Sequence, residues 1–284
     1  MKPIPDFVSV YGSRPMGFLR VLGFLGLVLT LTPVQMVYRL TRPKQPFLIA
    51  QLFHRTLTRV LGLRVRVHGE MTAGSPVLFV CNHVSYLDIV VLSALLPASF
   101  AAKSDVAKWP MIGFLAKMQN TLFIERRATK AGEQRDVLRG EFEKGRNFII
   151  FPEGTSTDGL TVLPFKSSLF AVVEDPLPEG QIVVQPISLG CTELDGLPIT
   201  RARRPLYAWY GDMTLVKHLW SVFRLGHFTL DVIFHAAVNP KDFKDRKALA
   251  QHCHQEVARG IEQCLRGRDF ALGPKNMKRL LPAV

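Results

Sequence analysis

Five consecutive apolar residues, Val77-Leu78-Phe79-Val80-Cys81, stand between Ser75-Pro76 and Asn82-His83, and they restrict the fold more than any other stretch. The run is too short for most helices and does not alternate. It reads as a strand buried on both faces, as parallel strands covered by helices are. The apolar stretch Tyr86 to Leu96 follows, with a cap at Ser85 and a stop at Pro97, which predicts a helix of about three turns. His83 therefore falls in a strand-to-helix turn.

Within one helix only residues three or four apart share a face, so His83 and Asp88, five apart, meet only if His83 folds back over the first helical turn. An Asp accepting one imidazole N–H fixes the tautomer and leaves the other nitrogen to take a proton, as in a hydrolytic triad whose hydroxyl comes from the substrate. Ser85-x-x-Asp88 is equally a capping box that serves backbone N–H groups alone. Both readings fit this stretch.

The 284 residues, with four cysteines, suffice for one domain with an N-terminal appendage. Hydrophobic residues make up 48% and mean hydropathy is positive, which leans toward membrane contact. The net charge of +13 sits at the ends: residues 1–60 hold eight Lys/Arg against one Asp, and residues 241–284 hold ten against five acids. A basic chain suits nucleic acid or a membrane surface. No RNA-binding aromatic pattern, zinc-finger spacing or helix-turn-helix is present, and the N-terminal charge flanks apolar residues, so a membrane surface is expected and nucleic acid is not. Cys81, Cys191, Cys253 and Cys264 have no paired spacing and read as reduced thiols. His252, Cys253, His254 and Cys264 read as helix residues rather than metal ligands, and Cys81 as a packed residue rather than a nucleophile.

The first 15 residues look irregular. Val21 to Tyr38 is free of charge for 18 residues, about 27 Å as a helix, with Pro33 inside and arginines at both ends. Phe47 to Leu61 is a basic amphipathic helix with Gln51, Arg55 and Arg59 in a row. Residues 1–61 are thus expected to be membrane-associated helices on the cytoplasmic leaflet, and residues 62–284 the main domain.

There, strand-like runs at Val77–Cys81, Thr121–Ile124, Phe148–Phe151 and Ile182–Val184 alternate with helical stretches near Tyr86–Leu96, Glu133–Glu143 and Ser167–Glu174. This predicts an α/β fold with a mixed, largely parallel central sheet flanked by helices. A half-buried strand from Phe228 to Phe234 and a closing helix over 245–266 complete it. Each central run ends in chemistry: Asn82-His83, then Glu125-Arg126-Arg127, then Pro152-Glu153-Gly154-Thr155, then Gln185-Pro186. The carboxyl ends of parallel strands border the ligand crevice, so a base, anion-binding arginines and a carboxylate on a glycine turn are expected in one cleft.

The blocks NHVSYLD, LFIERR, FPEGTSTDG and VVQPISL, in that order over residues 82–189, resemble the glycerolipid acyltransferase family of 1-acylglycerol-3-phosphate acyltransferases. The resemblance implies that His83, oriented by Asp88, is the general base for a lysophospholipid hydroxyl attacking the thioester of acyl-CoA or an acyl carrier protein, with no metal or other cofactor. It implies acceptor binding by Arg126, Glu153 and Gly154, with Thr155 beside them, and donor binding or a structural role for Pro186. The family's third block often continues with arginine where Ser156 stands. Lys103, Arg127 and Lys166 are the candidates to supply that charge. Tyr207-Ala208-Trp209-Tyr210-Gly211-Asp212 resembles a stretch of proteobacterial members, including ones that acylate lyso-ornithine lipid, an acceptor without phosphate. The expected activity is conversion of 1-acylglycerol 3-phosphate to phosphatidic acid at the cytoplasmic face of a bacterial inner membrane. O-acylation of lyso-ornithine lipid is the second enzymatic reading, and a basic membrane-binding module the non-enzymatic one.

Overall fold

The computed structural model describes residues 8, 11–42, 47–74, 76–109, 111–124, 131–178 and 180–266, with Lys103, Ile124 and Ala131 in backbone only. In chain order the elements are α1 (Arg14–Thr41), α2 (Leu48–Leu61), β1 (Leu63–His68), β2 (Val77–Cys81), α3 (Leu87–Leu95), β3 (Ala98–Lys103), α4 (Ile112–Met118), β4 (Leu122–Ile124), α5 (Ala131–Glu143), β5 (Asn147–Ile150), β6 (Val183–Leu194), β7 (Leu197–Pro198), α6 (Leu215–Arg224), β8 (Phe228–Phe234) and α7 (Arg246–Arg266). Short 3-10 helices cover Ser104–Lys108, Ser167–Val173, Arg201–Leu206 and Pro240–Asp242.

The sheet order is β1-β8-β6-β2-β5-β3-β4, with β7 paired to β6. β6, β2, β5, β3 and β4 are parallel, while β8 is antiparallel to β6 and carries β1 parallel to itself. The sheet is therefore mixed and largely parallel, as expected from its apolar runs. β2 is buried along its whole length. Val77, Phe79 and Cys81 face the layer that holds Phe53, Leu57, Val91 and Phe223, while Leu78 and Val80 face the layer that holds Phe142, Phe170 and Val257. Helices thus cover both faces.

Three expectations change. β8 is buried on every residue, not half-buried, because it lies between β1 and β6 and its Asp231 is neutralised in place. Arg66 reaches both Asp231 oxygens at 3.0 and 2.9 Å, His68 lies at 2.7 Å and Thr192 at 2.6 Å, which satisfies a charge that burial alone would not tolerate. β6 does not stop at Gln185-Pro186 but runs 12 residues from Val183. The Pro186 carbonyl accepts the N–H of His235, so the ring nitrogen faces the same side, just past the end of β8 at Phe234. The donor a proline lacks is not needed there. Ser167–Glu174 forms a 3-10 helix ending at Val173 rather than an α-helix.

α1 runs unbroken through Pro33 with an inverted polarity: Arg20, Thr32 and Gln35 are buried, while Phe18, Leu19, Leu22, Leu29, Val37 and Leu40 are each more than 60% exposed. Arg20 caps α6, donating to the carbonyls of Val222, Phe223, Leu225 and Gly226, the groups left open at a helix C-terminus. α2 contributes Phe53, Leu57 and Leu61 to the core, each worth roughly 1.5–3 kcal/mol of burial. Part of its polar row bonds to the domain as well. Gln51 and Arg55 donate to Leu95 O and Ala94 O at the end of α3, although Arg55, like Arg59, is exposed. Among the described residues, α1 is the one helix long and apolar enough to cross a membrane.

Candidate active site

His83 follows β2 directly, and the alternation that sends Cys81 toward the α2–α3 layer sends His83 the same way. His83 Nδ1 lies 3.0 Å from Asp88 Oδ2. The same oxygen accepts the N–H groups of Val84 at 2.7 Å and Ser85 at 2.8 Å. The capping and dyad readings are therefore one arrangement: the carboxylate that ties the turn also holds the imidazole. A carboxylate can only accept, so Nδ1 carries the proton and Nε2 the lone pair. His83 is 20% exposed, and Nε2 has no partner among the described residues. The ring stacks on Phe151 at 4.2 Å, and Phe151 stacks on Phe100 at 5.9 Å.

Phe100 helps line a partly open apolar cavity of about 220 Å³ walled by α1, α2, α3, α4 and α6. Tyr86 and Leu87, next to the His83 turn, open its wall, and Phe24, Phe53 and Leu115 continue it. His83 does not itself line this cavity but is linked to it through the Phe151–Phe100 stack and through Tyr86 and Leu87, at the carboxyl ends of the parallel strands, the usual location for a ligand in such sheets.

The loop after β5 fastens the turn from beneath. Expected at the acceptor, the Glu153 carboxylate is instead 3% exposed and faces backbone, accepting His83 N–H at 2.7 Å and Leu163 N–H at 2.8 Å. Each oxygen accepts one backbone N–H of the protein itself. Gly154 sits at φ +74°, a turn conformation a side chain rarely adopts. At Gly159, also positive in φ, a Cβ would press on Val84 at 3.2 Å. Thr157 N–H bonds His83 O at 3.0 Å. Thr155 and Lys166 are exposed on the same loop. Ser156 turns its hydroxyl to Trp209 O at 2.6 Å. Lys103 ends β3 on the same sheet edge. Arg126 and Arg127 lie outside the described residues. Pro186 is buried opposite Val80, three positions before the level of the turn. The β6 residue that meets the turn is Leu189, whose N–H and C=O both bond the Asn82 side chain, at 2.8 and 2.9 Å.

Burial pushes the Glu153 carboxyl up to about 7, outweighing its two N–H bonds. An acid whose folded pKa exceeds its unfolded value binds more protons when folded, so its contribution to stability is lost as pH rises from about 4.5 through 7. The unfolding free energy of the wild type minus that of Glu153→Gln should therefore fall by roughly 3 kcal/mol between pH 5 and pH 8. Denaturant titrations of both proteins at the two pH values check this, the difference cancelling all other titrating groups.

Tyr207, absent from the sequence-based candidates, reaches Asp88 Oδ1 with its hydroxyl at 2.7 Å. No local spacing announces a contact across 119 residues. Cys81 is buried with its thiol pKa raised by burial, which suits packing and not nucleophilic attack. Cys253 and Cys264 are buried, and His254 Nε2 lies 3.1 Å from Val162 O.

A histidine held by a buried carboxylate near an apolar cavity is compatible with several transfer chemistries, and comparison with known proteins gives the class. Residues 64–190 match the family model described as Acyltransferase. The chain belongs to that family and is an acyltransferase. It is 38% identical over 244 residues to the lyso-ornithine lipid O-acyltransferase of Rhizobium meliloti, the alignment covering 84% of each protein. It is 32% identical to the 1-acyl-sn-glycerol-3-phosphate acyltransferase of Neisseria gonorrhoeae over 64% of this chain and 68% of that one. The crystal structure of the 1-acyl-sn-glycerophosphate acyltransferase of Thermotoga maritima superposes with a TM-score of 0.60 at 21% identity, covering 88% of this chain and 99% of its own, a likeness of fold.

Proposed function

We propose that His83 Nε2 removes the proton from a lysolipid hydroxyl while Asp88 holds the ring. The resulting oxygen nucleophile attacks the carbonyl carbon of a thioester on coenzyme A or an acyl carrier protein. The new ester C–O bond forms, the C–S bond breaks, and the leaving thiolate takes up the proton from the imidazolium, so the base is restored without an acyl-enzyme. The single observation that carries this reading is the Asp88 contact at Nδ1, which leaves Nε2 as the acceptor nitrogen beside the cavity. The cavity would take an acyl chain, since its lining is largely apolar. Thr155, Gly154 and Lys166 would meet the headgroup or the donor phosphates from the loop after β5, and Arg126 and Lys103 keep the acceptor-binding role that the family resemblance implies. Pro186 and Glu153 support the site from within.

The acceptor supported best is lyso-ornithine lipid. Relatives with that printed activity share more identity and more length with this chain than the glycerophosphate enzymes do, and Ser156, bonded to Trp209 O, replaces an arginine that would suit a phosphate. Lysophosphatidic acid is the second reading, carried by relatives at 32% identity. Membrane association follows from the outward leucines of α1. Because α1 also packs on α2 and α6, it fits a helix lying in one leaflet, on the cytoplasmic side where the thioester donors are.

The test is purified protein given both lysolipids in parallel, each with acyl-CoA and with acyl carrier protein. Faster turnover of lyso-ornithine lipid is expected with at least one donor. A preference for lysophosphatidic acid reverses the order of acceptors, and no turnover of either lipid removes the proposal.

A further inference from the structure

The two oxygens of Asp88 are served very differently. Oδ2 carries three donors, the imidazole and two backbone N–H groups. Oδ1 has no access to solvent, since Asp88 has no exposed surface. Its donor among the described residues is Tyr207. A buried carboxylate oxygen without a donor is costly, and the Cβ–Cγ torsion of Asp is soft. Without something to hold Oδ1, the plane of the carboxylate is free to twist, and the contact between Oδ2 and His83 Nδ1 twists with it.

Tyr207 is built to prevent this. The side chain is 1% exposed and packs against Phe228 at 5.8 Å. Burial and the neighbouring Asp88 push the phenol pKa up, which keeps the hydroxyl a donor. Its backbone is fixed as firmly. The N–H groups of Tyr207 and Ala208 bond Arg204 O at 3.0 and 2.8 Å, and the Trp209 N–H bonds Val84 O at 2.9 Å. The Arg204 guanidinium reaches Gly159 O at 3.3 Å, and Ser156 bonds Trp209 O. Residues 204–209 are thereby tied to the His83 turn on one side and to the loop after β5 on the other.

We propose that Tyr207 is a positioning residue for the acyl transfer: its hydroxyl fixes the Asp88 carboxylate so that the carboxylate holds His83 in the Nδ1–H tautomer with Nε2 directed to the cavity mouth. The inference rests on His83 being the base. The Tyr207 proton stays on its oxygen throughout, so the effect falls on the geometry of proton abstraction and not on substrate binding.

Tyr207→Phe keeps the ring and its packing and removes one hydrogen bond to a charged group. In the full-length protein kcat should fall roughly 10- to 100-fold, with KM for lysolipid and for acyl-CoA within about twofold of wild type and little change in melting temperature. A packing role would leave kcat intact or lower the melting temperature in step with it. A second readout is independent of turnover. In ¹⁵N-histidine-labelled protein, the Nδ1–H signal assigned to His83 by its absence from the His83→Ala spectrum should be present in wild type and lost or exchange-broadened in Tyr207→Phe. Wild-type kcat and an unchanged His83 signal in Tyr207→Phe, with His83→Ala inactive, would overturn this inference alone. Activity retained in His83→Ala would overturn the base assignment beneath it.

Discussion

Asp88→Asn should lower kcat by roughly 10²–10³-fold while leaving KM and the unfolding midpoint close to wild type. The reason lies in the four donors around the carboxylate. An asparagine has one orientation that keeps most of them: its oxygen toward His83, Val84 and Ser85, its amide nitrogen toward the Tyr207 hydroxyl, which can accept as well as donate. The turn therefore survives. What is lost is the negative charge, and with it, on the proposed mechanism, the stabilisation of the imidazolium that forms as the lysolipid hydroxyl gives up its proton. The loss appears only in the transition state, so it falls on kcat. Asp88→Ala differs, because it strands two backbone N–H groups and the Tyr207 hydroxyl in the interior. It should lower stability as well as rate. Steady-state kinetics with melting curves on both variants separates the two effects. An asparagine variant with wild-type kcat would mean that the carboxylate serves only the backbone.

Which parts of this arrangement the sequence announced follows from how local their causes are. β2, the turn and α3 were legible because an apolar run, a cap and a proline stop lie within 23 residues of one another, from Ser75 to Pro97, and their pattern alone restricts the geometry. His83 and Asp88 were legible for the same reason. The alternation of Leu63, Val65 and Val67 with Arg64, Arg66 and His68 was present in the sequence and would have marked β1. β3, with three alanines among its six residues, carries no β-forming signal of its own and exists because β5 and β4 flank it.

Other features depend on what the chain meets far away. Asp231 looks like the solvent side of an amphipathic strand until Arg66, His68 and Thr192 are placed around it. Pro186 looks like a strand end, and its place inside β6 depends on β8 finishing at Phe234 on that side. Glu153 was recognised as part of the site, yet its direction was not, since the donors that claim its oxygens are backbone groups of His83 and Leu163. Tyr207 is the extreme case, a hydroxyl delivered to Asp88 from 119 residues further along the chain. The His83–Asp88 pair was read from type and spacing, and the groups that hold it still required the fold.

His83→Ala carries the second large effect. The ring stacks on Phe151 and, among the described residues, makes its one side-chain hydrogen bond to Asp88, and Asp88 keeps Val84 N–H, Ser85 N–H and Tyr207 when the ring is removed, so the fold should stand. Only the proton acceptor disappears, leaving a lipid alcohol far too weakly acidic to attack a thioester unaided. The decisive measurement is the kcat of His83→Ala with lyso-ornithine lipid and with lysophosphatidic acid at saturating acyl-CoA, on protein whose circular dichroism and melting temperature match wild type. A fall of roughly 10³–10⁴-fold for the preferred acceptor is predicted. Turnover within about tenfold of wild type would contradict a mechanism in which this imidazole takes the proton.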